Sequence, residues 1–224
     1  MVKEFAFAGE VAYIFEQGKP IKVLSKICEE NKIDLLILGA VKREKLMKHY
    51  LGSVARKLTK KVKCSVLLIM NQSQKEIYKK HIVVNGLESE KSHETISTAF
   101  YVANSLSSKK ITIVEEINNT EVKVDDDRSL RRAAINHERK THQENLRVKK
   151  ILKVIPKEFK EPIDIKLQGI FGKSGYSIGH YARVVRSELL IMHTPTHLNF
   201  VKKIVANDLS FILSELPTDV LIIK

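Results

Sequence analysis

Two stretches of this chain occur twice at one constant offset. Asp34-Leu-Leu-Ile-Leu-Gly39 parallels Glu188-Leu-Leu-Ile-Met-His193, and Cys64-Ser-Val-Leu-Leu-Ile69 parallels Thr218-Asp-Val-Leu-Ile-Ile223. Each stretch is a short aliphatic run bounded by polar or turn residues, which reads as a buried strand. An amphipathic helix is expected between the two strands of each copy, over Leu51 to Val62 and Phe200 to Leu213. Matching helices precede them over Ile21 to Asn31 and Ile178 to Arg186, each following a strand (Phe5 to Phe15, broken near Gly9, and Ile163 to Gly169). A repeat at this scale means one supersecondary unit used twice, and the rest of the chain must fit around it.

The second copy extends further upstream. His81-Ile-Val-Val-Asn85-Gly86 reads as a strand and turn, and Ser92 to Leu106 as a helix whose apolar face is Ile96, Phe100, Val102, Ala103 and Leu106. Lys110 to Val114 is a second strand. Asp125-Asp-Asp127 then leads into a long charged helix up to Ile155, ahead of Pro156. Acids at its start and Lys149, Lys150 and Lys153 near its end suit the helix dipole. The copies are thus β-α-β-α-β over 1–72 and β-α-β-α-β-α-β-α-β over 77–224, joined by the polar linker Asn71 to Lys75. Strict alternation predicts an α/β fold: an open parallel, Rossmann-like sheet with right-handed crossovers. Aromatics are only 6% of residues, so Ile, Leu and Val must build the core, as in strands covered on both faces.

The connection from Gly39 to Gly52-Ser53 carries the chemistry. A strand ends at a glycine, a basic loop follows, and Gly-Ser opens a helix. Free N–H groups and the positive end of the helix dipole then meet at the carboxyl edge of a sheet, where α/β proteins hold anions. The bland alternative is a turn needing glycine for positive φ and Ser53 as N-cap.

These residues resemble the universal stress protein family, in its tandem form. That family's nucleotide loop runs Gly, two residues, Gly, nine residues, Gly, then Ser or Thr. This chain has Gly39, Ala40, Val41, Lys42, nine residues, Gly52 and Ser53, so Lys42 replaces the second glycine. The resemblance is specific over Asp34 to Met70 and holds as a pattern over nearly the whole chain. It implies an adenine nucleotide α-hydrolase-like fold with strand order 3-2-1-4-5, ATP or AMP at the loop, and pairing through the last strand. Gly39 would allow close approach of the backbone. The N–H groups of Gly52, Ser53 and Val54 would face phosphate oxygens, with the Ser53 hydroxyl adding a hydrogen bond; Lys42 would either add a cation or obstruct the loop with its side chain.

The chain departs from that pattern in both copies. The first lacks the family's strands 1 and 2, and with them the acid that ends strand 1. The second has Asn85 near that acid's place, but His193-Thr-Pro-Thr196 and Ala206-Asn207 stand where the glycines and serine belong. A fragment, or a start assigned at an internal Met, is favoured over restoration of the sheet by a partner chain. The last strands, Ser65 to Ile69 and Val220 to Ile223, are expected to pair within the chain as a pseudo-dimer, or between chains as a homo-oligomer.

The net charge of +13 attracts anions, but the basic run (Lys42, Arg43, Lys45, Lys48, Arg56, Lys57, Lys60, Lys61, Lys63) holds only Tyr50 for stacking. A solvated helix face is favoured over nucleic-acid binding. His193 and His197 stand four apart around Pro195, and His137 and His142 five apart, so no metal site is expected. Gly169 to Gly175 lacks P-loop spacing and reads as a strand-to-helix turn with Ser174 or Ser177 as N-cap. The acids Asp125 to Asp127 read as a solvated turn. Cys28 and Cys64 form no CxxC pair, which suits a reducing, cytoplasmic setting without a membrane span. The expected function is a non-enzymatic nucleotide-binding module of the stress response. The alternative is an interaction scaffold with degenerate loops, and a distant third is an enzyme of the wider nucleotide α-hydrolase-like class.

Overall fold

The computed structural model describes residues 10–43, 48–70, 81–117, 126–171, 176–194, 209, 211–214 and 216–224. The leading copy contributes α1 (Pro20–Glu30), β1 (Leu35–Gly39), β2 (Val41–Arg43), β3 (Lys48–Tyr50), α2 (Ser53–Lys61) and β4 (Ser65–Ile69). The trailing copy contributes β5 (His81–Asn85), α3 (Ser92–Ser105), β6 (Lys110–Ile117), α4 (Asp127–Val154) and α5 (Lys157–Lys160). It continues with β7 (Asp164–Phe171), α6 (Ser177–Val184), β8 (Leu189–His193) and β9 (Asp219–Ile223). Residues 211–214 are helical ahead of β9.

Seven strands form one sheet in the order β1-β4-β9-β8-β5-β6-β7. Every neighbouring pair is parallel except β4 and β9, which run antiparallel with Val66 opposite Ile222 and Leu68 opposite Val220. The trailing copy alone reads β7-β6-β5-β8-β9, the 3-2-1-4-5 order implied by the resemblance. The sheet is therefore mixed and mostly parallel. The two last strands face each other inside the chain, and neither leaves an apolar edge in water.

The repeat extends to individual hydrogen bonds. Ala40 N–H donates to Ile69 O and Thr194 N–H to Ile223 O, both at 2.8 Å. Behind the preceding helices, Ile33 N–H reaches Cys28 O at 2.9 Å and Ser187 N–H reaches Ala182 O at 3.0 Å. Lys32 and Arg186 take the left-handed turn that ends each helix, at φ 49° and 52°.

Aliphatic residues fill both faces of the central strands. On one face Leu58, Val66 and Leu68 pack with Ile178, Leu190, Ile212 and Val220, which joins the copies in one core. On the other, Phe100 and Ile96 of α3 and Val148 of α4 cover Ile82, Val84, Ile111 and Ile191. α4 starts with a capping box in which Asp126 accepts from Ser129 N–H at 2.6 Å and Ser129 Oγ accepts from Asp126 N–H at 3.0 Å.

The strand expected over Phe5 to Phe15 does not form in its described part. Residues 10–17 carry no strand and are exposed, Phe15 at 91%; Phe5 to Gly9 lie outside the described residues. The same offset maps this segment onto β7, which hydrogen-bonds to β6 along its whole length. Among the described residues the leading copy has no counterpart of β6, so there the segment finds no ladder to join. Two further expectations are corrected. Tyr176, not Ser177, caps α6, and Ser174 lies outside the described residues. Leu106 falls off the buried face of α3, 37% exposed, because the helix ends one residue earlier.

Candidate functional site

The corner singled out in the sequence lies at the carboxyl ends of parallel β1 and β4. Gly39 is the last residue of β1, paired with Ile69. The connection beyond it is not an open loop. Val41–Arg43 and Lys48–Tyr50 form an antiparallel ribbon, with Lys42 opposite His49, and residues 44–47 lie outside the described ones. Val41 and Tyr50, the strand-favouring residues of this short stretch, stand opposite each other in the pairing. Leu51 then anchors the ribbon in the core, fully buried.

Gly52 caps α2 at φ −56° and ψ 156°, values open to any residue, so the glycine is not there for backbone conformation. Nothing lies within 4 Å of where its Cβ would stand. Ser53 is the first helical residue rather than the cap, and it is exposed, as is Val54. The helix has no side-chain cap and no acid in its first turn. Arg56, half-buried one turn in, donates to Leu51 O at 3.4 Å. Its downstream lysines Lys57, Lys60, Lys61 and Lys63 are exposed, the solvated face the sequence suggested.

The equivalent corner of the trailing copy is built differently. His193 ends β8, buried, with its imidazole held below the usual histidine range by burial and then by the Lys91 ammonium, against a smaller pull from Glu94. Its Nδ1 finds no hydrogen-bond partner among the described residues. Residues 195–208 lie outside the described ones, and with them His197 and the Ala206-Asn207 pair. Asn85, at the place of the family's acid, is buried, and its Oδ1 accepts from Leu87 N–H at 3.0 Å. The carboxamide thus closes its own turn.

Beside it stands a constellation the sequence reading missed. Arg147 of α4 reaches across to Glu115 at 2.6 Å, to Glu144 at 2.9 Å and to the carbonyl of Gly86. Burial pushes the Glu115 carboxyl up to about 8; Glu144 adds to this by hydrogen bond and charge, while Arg147 pulls the other way. One guanidinium shared by two carboxylates cannot neutralise both, so the proton stays on the more buried acid. Glu144, although burial opposes it, is held below its usual range by hydrogen bonds from Glu115 and Arg147. The signal was present as two acids inside the otherwise apolar run of β6, and as Glu144 and Arg147 one turn apart on α4. Among the described residues no group of three or more His, Cys, Asp or Glu could hold a metal, and His137 and His142 are exposed on α4. Asp126 and Asp127 serve the start of α4, and Asp125 lies outside the described residues. Among the described residues no helix is long and apolar enough to cross a membrane.

The trailing copy's open sheet in 3-2-1-4-5 order, continued through β4 and β1, defines an open, mostly parallel α/β class of protein. Residues 4–70 match the universal stress protein family. No curated protein matches the chain. Among solved structures, it is similar to a universal stress protein from Archaeoglobus fulgidus DSM 4304, with TM-score 0.62 and 16% identity over 96% of this chain and 68% of that one. A putative universal stress protein from Pseudomonas aeruginosa UCBPP-PA14 gives 0.60 and 14%, over 93% and 69%. UspA of Lactobacillus plantarum gives 0.50 and 13%, over 66% and 99%. At these identities the structural likeness is one of fold. Residues 4–70 are thus similar in sequence to the universal stress protein family, and the described residues carry that family's fold.

Proposed function

We propose that this chain is a nucleotide-binding regulatory module of the stress response, taking ATP or AMP at the corner of Gly39, Lys42, Gly52, Ser53 and Val54. The observation that carries the reading is the start of α2. Its cap is a glycine facing open space, no acid occupies its first turn, and it lies at the carboxyl edge of two parallel strands. Such a terminus offers backbone donors and the positive end of a dipole to an anion. Lys42, on the ribbon after Gly39, adds a cation by its place in the chain.

The nucleoside half is weaker. Among the described residues no strand flanks the outer edge of β1, where the family's acid-bearing strand belongs. Binding is therefore weighted towards the phosphates, with ATP tighter than AMP and adenosine weakest. The proposed role is binding rather than turnover.

The scaffold reading has one observation in its favour. The β2–β3 ribbon spends its backbone groups on itself, in the connection that would close over a phosphate. Calorimetric titration with ATP separates the two. Nucleotide binding predicts a measurable heat for the intact protein and at least about tenfold weaker binding (~1.4 kcal/mol) for Gly52→Val. The folded state should survive that change, because the new side chain enters open space. No heat from the wild-type chain, or equal affinity in the variant, favours the scaffold.

A further inference from the structure

The fold brings together two thiols that the sequence separates. Cys28 lies in the last turns of α1, and Cys64 immediately precedes β4. Both belong to the core cluster that the two copies share, 8% and 9% exposed, and both line one cavity of about 500 Å³ open to solvent. The cavity lies at the amino ends of β1 and β4, the opposite end of the sheet from Gly39 and Gly52. Asp34, Lys32, Lys61 and Lys224 also line it. The thiols touch electrostatically: burial, then the charge and hydrogen bond of Cys64, push the Cys28 thiol up. Lys224, whose Nζ donates to Thr59 O at 2.7 Å, interacts with Cys64 as a neighbouring charge.

Packing does not require these cysteines. At the same offset the trailing copy has Ala182, fully buried, in place of Cys28, and Thr218, whose hydroxyl donates to Ser187 O at 2.7 Å, in place of Cys64. The repeat closes equally well without sulfur, so the pair is a property of this corner of the chain and not of the fold. Two thiols meeting in a solvent-reachable cleft beside ammonium groups have the makings of a reversible redox site.

We propose that Cys28 and Cys64 form an intramolecular disulfide when the protein meets a hydroperoxide, stapling α1 to the start of β4. Cys64, beside the Lys224 ammonium, attacks the peroxide oxygen as the thiolate. The O–O bond breaks, the alcohol or water leaves with the proton, and Cys64 becomes a sulfenic acid. Cys28 then attacks that sulfur, the S–O bond breaks, and water leaves as the S–S bond forms. Two thiols and one hydroperoxide thus give one disulfide, one alcohol (or water) and one water. A dithiol reductant returns both thiols. The site is independent of the nucleotide corner.

The test is peroxide treatment of the full chain followed by intact-mass and peptide-map spectrometry without reductant. The expected result is loss of two hydrogens per monomer, complete loss of maleimide-reactive thiol, and a Cys28–Cys64 cross-linked peptide that dithiothreitol abolishes. The variant Cys28→Ala, which installs the residue of the trailing copy, should accumulate a dimedone-trapped sulfenic acid at Cys64. Oxygen added without a cross-link, a disulfide between two chains only, or thiols unchanged under conditions that oxidise glutathione overturns the proposal. The wild-type peptide map decides the matter even if the variant fails to fold.

Discussion

β1 and β8 are the same strand written twice, and they live in different surroundings. Leu35 and Ile37 are 43% and 56% exposed, whereas their counterparts Leu189 and Ile191 are 2% and 0% exposed. β8 is flanked by β9 and β5 and covered on both faces; β1 ends the sheet, with β4 as its one strand neighbour among the described residues. β4 shows the intermediate case: Val66 and Leu68 are buried while Ser65, Leu67 and Ile69 on the other face are half-covered. Near-identical aliphatic runs therefore do not decide how much burial they achieve. The trailing copy supplies β5, β6, α3 and α4 to cover its strand, and the described residues before β1 hold only α1. The contrast also separates the two corners. The leading one is open at Gly52; in the trailing copy the described strand ends are those of β5 and β6, where Arg147 binds Glu115 and Asn85 closes on its own turn.

The largest effect that could break this comparison is on stability. Ile191→Ala should cost about 2–5 kcal/mol, because it empties a fully packed site, while Ile37→Ala should cost less than about 1 kcal/mol. Denaturant titration of the two variants checks this; equal losses would mean that β1 is as well covered as β8. Next in size is the contrast between Gly86, just past β5, and Gly52, the cap of α2. A Cβ on Gly86 would meet Ile113 Cγ2 at 2.7 Å and the Val114 carbonyl at 3.3 Å, so Gly86→Ala should destabilise by about 1–3 kcal/mol. Gly52→Ala should stay within about 0.5 kcal/mol of wild type, since nothing stands in the way.

A pH-dependent effect comes from Glu115, which has no counterpart among the described residues of the leading copy. Its carboxyl sits near 8 in the folded protein against an ordinary 4.5. Between those values the folded chain holds a proton that the unfolded chain has released. Stability is therefore greatest at the acid end of that window and falls as pH rises through it. Denaturation midpoints measured from pH 5 to 8 should fall in the wild type and flatten in Glu115→Gln; a rising midpoint would mean that the Arg147 ion pair outweighs burial.

Much of this was legible before any coordinates. Constant offset and aliphatic runs located β1, β4, β8 and β9, and the alternation of elements around His81 to Val154 gave the order of the trailing copy. These signals are local, carried by the period of apolar residues within one element. What escaped was decided between elements. Residues 10–17 have the apolar content of a strand but, among the described residues, no neighbour to pair with. The Gly39–Gly52 connection reads as a loop, yet its short ends pair with each other. Cys28 and Cys64, and Glu115 with Arg147, converge only because separate helices cross the sheet at those points, and no spacing along the chain encodes such a meeting. The Gly39–Ser53 connection does run from a strand end to a helix start, although Gly52 rather than Ser53 is the cap.

The central claim is that one structural unit is used twice, fully covered in the trailing copy and open along its edge in the leading one. Amide hydrogen exchange, resolved by peptide, tests it most directly. Residues 189–193 should be protected up to the global unfolding free energy, while residues 35–39 should exchange through local opening, orders of magnitude faster. Equal protection of the two strands in the isolated chain would contradict the account.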